Sequence, residues 1–173
     1  MINRFLLLML FALLSAVTSS ILWSIYGWHV FFQILFILLV AGIGENVVSS
    51  QGYYYYTQHH LNGPFVREVP IWIMYLWVFC IQTSLLVSLS LGFSGLSASM
   101  MAGLLALLFD LIVLEPYLSR TISLWKWTPV EGGYFRFIPE RLNRFTAPPG
   151  NYVVWYLFPF IANSLLIVLV YLF

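Results

Sequence analysis

The chain has 173 residues, of which 62% are hydrophobic and 8% charged, with a formal net charge of +1. A soluble domain carries roughly 25% charged residues, so a water-surrounded globule is excluded and a polytopic membrane protein is expected. The small net charge gives no footing for a nucleic-acid partner. The single cysteine, Cys80, can form no internal disulfide and says nothing about redox compartment. No repeat, low-complexity tract or soluble domain is visible, and residues 1–173 read as one integral membrane domain.

An apolar helix needs about 20 residues to cross the hydrocarbon. Residues 5–24 form the first expected span and residues 28–44 the second, separated at Tyr26-Gly27. One helix over both, about 40 residues at about 1.5 Å each, would be twice the membrane thickness. Residues 70–91 form the third span, with proline in its first turn. Residues 97–117 form the fourth, which Pro116 is expected to bend or end. Residues 151–173 form the fifth. The connections 45–69 and 118–150 carry most of the polar residues. A signal peptide is the rival reading of residues 1–20, since Met1-Ile2-Asn3-Arg4 precedes an apolar stretch. No clean small-x-small cleavage site follows and the apolar run continues to Trp23, so a retained helix is expected. The expected fold is an all-α membrane bundle of about five transmembrane helices.

Five spans place the N-terminus and both long connections on one side. Arg4, Arg67, Arg120, Lys126, Arg136, Arg141 and Arg144 all fall there, and the other side has no basic residue. By the positive-inside rule that side is cytoplasmic, with the N-terminus inside and the C-terminus outside. Glu45, Glu68, Glu115, Glu131 and Glu140 lie at or beyond the same boundary. Asp110 alone is deep, within the apolar run from Met100 to Leu114. A carboxyl group near the bilayer centre costs at least about 2.5 kcal/mol on insertion scales, and such residues are functional candidates by default.

On the fourth helix Ser99, Gly103, Ala106, Asp110 and Tyr117 share a stripe at helical spacing, which points Asp110 into the bundle. Glu115, five residues on, falls about 140° around an α-helix and is not stacked over Asp110. Ala41, Gly42 and Glu45 form a similar face on the second helix. Trp77, Cys80, Ser84 and Ser88 share a stripe on the third, and Tyr156, Pro159 and Asn163 a face on the fifth, where Asn163 needs a partner. The bland readings are concrete. Asp110 as a structural hydrogen-bond acceptor, Glu45 as an interfacial acid, and the Tyr53–Tyr56 run with the terminal tryptophans as an aromatic belt are the ordinary roles of such residues. His29 reads as interfacial at the opposite end. The adjacent His59 and His60 cannot both face one helical site, and no histidine box marks a di-iron centre. There is no phosphate loop and no nucleophile elbow.

The order of polar landmarks is more specific than any one of them. Glu45 is followed by Gly52-Tyr53 and Tyr55, then Val69-Pro70 and Trp77, then Asp110 and Glu115-Pro116. Trp125 and Trp127 come next, then Gly133-Tyr134-Phe135 and Pro139, then Pro148 or Pro149, Asn151 and Trp155. This series, about two-thirds of the chain, resembles the membrane carotenoid biosynthesis proteins of the gamma-carotene hydratase and bisanhydrobacterioruberin hydratase type. The chain departs from that pattern in three places. Glu115 stands for a second Asp, Val154 stands for a Gly, and about ten residues around 140–146 are extra.

The resemblance implies a cofactor-independent carotenoid hydratase, a lyase of the prokaryotic cell membrane that adds water across a terminal C=C of an acyclic isoprenoid drawn laterally from the bilayer. It implies catalytic roles for Asp110, Glu115 and Glu45. It implies substrate contacts from Tyr53, Tyr55, Trp77, Trp125, Trp127, Tyr134, Asn151 and Trp155, and no metal or other cofactor. The residues support such chemistry independently. Hydrating a trisubstituted alkene needs an acid, a tolerated tertiary carbocation and a positioned water. A carboxyl group surrounded by hydrocarbon favours its neutral, proton-carrying form, and Asp110 is the first choice for that acid. Glu115 and Glu45 are placed to hold the water or take its proton, and ring faces stabilise cations. The same arrangement also suits an isoprenoid isomerase or cyclase. A non-enzymatic protein, either a transporter subunit using Asp110 for protons or a pathway scaffold, is the other class. A pocket shared by Glu45, Asp110 and Glu115 favours the enzyme.

Overall fold

A computed structural model of the chain describes residues 2–131, 133–139, 141, 143 and 145–172. Glu140 and Arg144, counted above among the loop charges, lie outside the described residues. Five helices are long and apolar enough to cross a membrane. They are α1 (Leu6–Tyr26), α2 (His29–Ser50), α3 (Trp72–Ser90), α4 (Gly95–Phe109) with its continuation Asp110–Thr121, and α5 (Pro149–Leu172). The fold is an all-α bundle with minor sheet. α1 and α2 separate where expected, at Gly27, whose φ of 62° takes the chain out of the helix while its N–H still bonds to the Trp23 carbonyl.

α3 sits in the middle of the bundle, packed against α1, α2, α4 and α5. Its stripe of Trp77, Cys80, Ser84 and Ser88 is buried. α4 lies close on α5 because its facing residues are small. Ala98, Ser99, Ala102 and Ala106 are fully buried, and a Cβ on Gly103 would lie 2.6 Å from the Tyr156 carbonyl oxygen. Midway along the bundle uncharged side chains bond across four helices. Thr18 and Ser19 of α1 donate to Gln82 Oε1 (2.7 and 2.8 Å), Gln82 donates to Gln33 Oε1 (3.3 Å), and Gln33 donates to Asn163 Oδ1 (2.8 Å). Asn163 thus finds the partner its depth demands, and α1 is tied into the bundle. His29, at the start of α2, is buried, stacked on Trp28 with Nδ1 at 2.8 Å from the Tyr26 carbonyl.

Three spans differ from the sequence reading at the end that bears the long connections. α2 runs past Glu45 to Ser50, so Glu45 is inside the helix and not at its end. Pro70 does not open α3. It belongs to β3 (Val69–Pro70), which pairs antiparallel with β2 (Phe65–Val66), and α3 starts at Trp72. The fourth span does not stop at Pro116. From Asp110 to Thr121 it widens into a π-helix, with the Ile122 N–H reaching the Tyr117 carbonyl five residues back at 2.9 Å. A wider turn accommodates a proline, which has no N–H to give and whose ring crowds the carbonyl four residues earlier. The two connections meet in a two-stranded antiparallel sheet, β1 (Tyr54–Tyr56) with β4 (Trp125–Trp127), in which Tyr55 pairs with Lys126. All six described basic residues, Arg4, Arg67, Arg120, Lys126, Arg136 and Arg141, are exposed in this layer.

Candidate functional site

The layer of strands closes one end of the bundle over a cavity of about 50 Å³. α2 brings Glu45 to it. β1 brings Tyr54 and Tyr56, and α3 brings Ile73, Leu76 and Trp77. The wide helix brings Asp110 and Glu115, β4 brings Trp125 and Trp127, and α5 brings Asn151 and Trp155. Among the described residues no Lys, Arg or His lines it. All three acids proposed from sequence therefore share one space.

The wide helix makes this convergence possible. In an α-helix Glu115 would point away from Asp110. Under i→i+5 bonding, residues five apart come into register, and Asp110, Leu114, Glu115 and Ser119 form the buried face. Asp110 is 1% exposed and Glu115 2%. The same change of register turns Tyr117 outward, to 60% exposure, off the stripe on which α-helical spacing places it.

Each acid has a distinct set of partners. Glu45 Oε1 accepts from Trp77 Nε1 (2.7 Å), while Oε2 accepts from the hydroxyls of Tyr54 and, at 2.9 Å, Tyr56. Glu115 Oε1 accepts from Trp125 and Trp127 Nε1 (both 3.1 Å), and Oε2 from Trp127 Nε1 (3.1 Å) and Thr146 Oγ1 (3.0 Å). These oxygens are held as acceptors by rigid ring donors. Asp110 differs. Asn151 Nδ2 donates to its Oδ2 at 2.8 Å, and Oδ1 has no protein donor among the described residues. Among the described residues it is the one carboxyl oxygen of the three acids without a protein donor. The phenols of Tyr54 and Tyr56 are pushed well above the usual range by burial and then by the negative charge of Glu45. They stay protonated and remain donors.

Aromatic faces surround the acids. Trp77 and Trp155 stack with centroids 4.0 Å apart and planes 20° from parallel, and the Tyr54 ring lies 4.9 Å from that of Trp127. A positive charge arising here would meet both ring faces and three carboxyl groups.

Of the substrate contacts expected from sequence, Trp77, Trp125, Trp127, Asn151 and Trp155 line the cavity. Tyr53 and Tyr55 do not; both are exposed, at 56% and 53%. Successive strand residues point to opposite faces, so Tyr54 and Tyr56 face Glu45 in their place. Tyr134 is also elsewhere, donating to the Thr128 carbonyl at 2.6 Å. The sequence reading missed Tyr54, Tyr56 and Thr146. Four consecutive tyrosines carry no alternation that sets the face of a strand, and nothing local marks Thr146. Among the described residues no three His, Cys, Asp or Glu side chains group closely enough to hold a metal ion.

Comparison of the chain with protein-family models, with characterised proteins and with solved structures finds no match.

Proposed function

We propose that this membrane protein is an isoprenoid end-group hydratase, of the type of the carotenoid hydratases its sequence landmarks resemble. The observation that carries the reading is a buried Asp110 whose Oδ1 takes no donor from the described residues, on a small cavity walled by aromatic rings and two firmly held acids. Asp110 gives its proton to the less substituted carbon of a terminal trisubstituted alkene. The π pair forms that C–H bond and leaves a tertiary cation on the neighbouring carbon. An aromatic face of the cavity wall meets it, worth about 2 kcal/mol when desolvated, and the oxygens of Glu45 and Glu115 lie on the same cavity. A water oxygen then bonds to the cation, and its surplus proton returns to the carboxylate. The sum is alkene plus water giving a tertiary alcohol, which needs no redox partner.

Hydration differs from cyclisation, which shares the cation, in needing a water at the site. A buried water needs roughly 10–15 Å³, so about 50 Å³ admits water. In this reading the hydrophobic substrate comes from the bilayer. The basic layer faces the cytoplasm of a prokaryotic cell, with the N-terminus inside and the C-terminus outside.

Expression in cells that accumulate lycopene tests the proposal. Products heavier by one water are expected, and Asp110→Asn at equal protein level makes none. Unchanged pigment with lycopene and other acyclic carotenoids contradicts it.

A further inference from the structure

No repeat is visible in the sequence, yet the site is assembled from two copies of one unit. In the first, the acid of α2 is followed 9 and 11 residues later by ring donors on β1, Tyr54 and Tyr56. In the second, the acid of the wide helix is followed 10 and 12 residues later by ring donors on β4, Trp125 and Trp127. Each strand leads on to a helix whose inward tryptophan reaches the cavity, Trp77 on α3 and Trp155 on α5. The copies meet as a two-fold axis along the bundle requires. β1 pairs antiparallel with β4 about Tyr55 and Lys126, Trp77 stacks on Trp155, and α2 packs on α5 as α4 packs on α3.

The symmetry fails in the lining beside Asp110. Four residues before its tryptophan, α5 carries Asn151, which holds Asp110. Four residues before Trp77, α3 carries Ile73, 3% exposed and lining the same cavity. One turn before its acid the wide helix carries Asp110, while α2 carries Ala41, 4% exposed. One half of the site therefore has a polar pair where the other has an apolar one.

We propose that this broken symmetry orients the ligand, with the reacting chain end at Asp110–Asn151 and the adjoining hydrocarbon against Ile73, which makes Ile73 a specificity-determining residue. The inference rests on the reading of the ligand as an isoprenoid chain. Leu76, on the same face of α3, continues the apolar wall. The ring donors of both halves are already engaged by Glu45 and Glu115, so Ile73 and Leu76 are the remaining aliphatic surface of the cavity.

The test is binding of lycopene to the detergent-solubilised full chain, read as quenching of tryptophan emission, since four tryptophans line the cavity. Ile73→Asn, which copies the polar half, should weaken binding about tenfold, the equivalent of losing one buried aliphatic contact surface. Ile73→Ala should weaken it about fivefold through lost contacts, and it covers the case in which the asparagine variant does not fold. Ile73→Leu should bind within about twofold. Asp110→Asn should bind nearly as wild type while making no product. Wild-type affinity in both Ile73→Asn and Ile73→Ala overturns the inference, whatever the product assay gives. Binding that depends on Ile73 in a protein forming no hydrate overturns the hydratase reading alone. No quenching of the wild type by lycopene overturns both.

Discussion

Trp77 and Trp155 stack at 4.0 Å across the centre of the site. Trp77 holds Glu45 through its Nε1, and Trp155 lies one turn beyond the Asn151 that holds Asp110. The stack thus joins two acids delivered by helices remote in sequence. Trp77→Phe keeps an aromatic face and removes the N–H. Glu45 then retains only its tyrosine donors, a loss of about 1–3 kcal/mol of positioning. We expect roughly a tenfold fall in hydrate formed per protein, with the amount of folded protein in the membrane little changed.

Tyr54 and Tyr56 give a pH dependence of definite sign. Burial and Glu45 raise both phenols in the folded state. A group whose folded value lies above its unfolded value contributes stability that is present below the unfolded value, about 10 for a phenol, and lost as pH rises beyond it. The unfolding midpoint in detergent should hold steady up to about that pH and then fall. In the double variant Tyr54→Phe, Tyr56→Phe the alkaline fall should be shallower.

Pro116 is expected to maintain the wide turns that bring Glu115 over Asp110. Pro116→Ala restores an N–H and removes the clash with the carbonyl four residues back, about 3 kcal/mol against an α-helix. The segment should relax towards α-helical register, with equal or higher thermal stability and activity at least tenfold lower. Full activity in this variant would show that the widening has another cause.

Gly103 and Gly42 should respond differently to the same methyl group. At Gly103 the added carbon would meet the Tyr156 backbone oxygen at 2.6 Å, whereas at Gly42 it would meet the flexible Met74 Sδ at 3.5 Å. Gly103→Ala should destabilise the bundle by about 1–3 kcal/mol, as overpacking does, and Gly42→Ala by far less. Unfolding in mixed detergent micelles measures both.

Much of the bundle was legible in the sequence because membrane spans are dictated by length and hydropathy alone. The break at Gly27, the inward Asp110 and the need of Asn163 for a partner all follow from local rules. The site was only partly legible. Glu45, Asp110 and Glu115 were singled out as chemistry-bearing residues, but α-helical geometry sent Glu115 the wrong way because a π segment leaves no periodic trace in twelve residues. Tyr53 and Tyr55 were chosen over Tyr54 and Tyr56 because a short strand in a connection between spans has no hydrophobic alternation to fix its face. The two-fold repeat escaped notice because its halves use tyrosines in one place and tryptophans in the other. The extra residue in the wide helix also shifts the spacing.

The central claim is that the proton of Asp110 ends up on carbon. Converting lycopene in deuterated water and locating deuterium in the product by mass spectrometry and NMR tests it most directly. One non-exchangeable deuterium per hydrated end is expected on the carbon next to the new tertiary alcohol, and no product with Asp110→Asn. Hydrate lacking carbon-bound deuterium, or hydrate formed at the wild-type rate by Asp110→Asn, would contradict it.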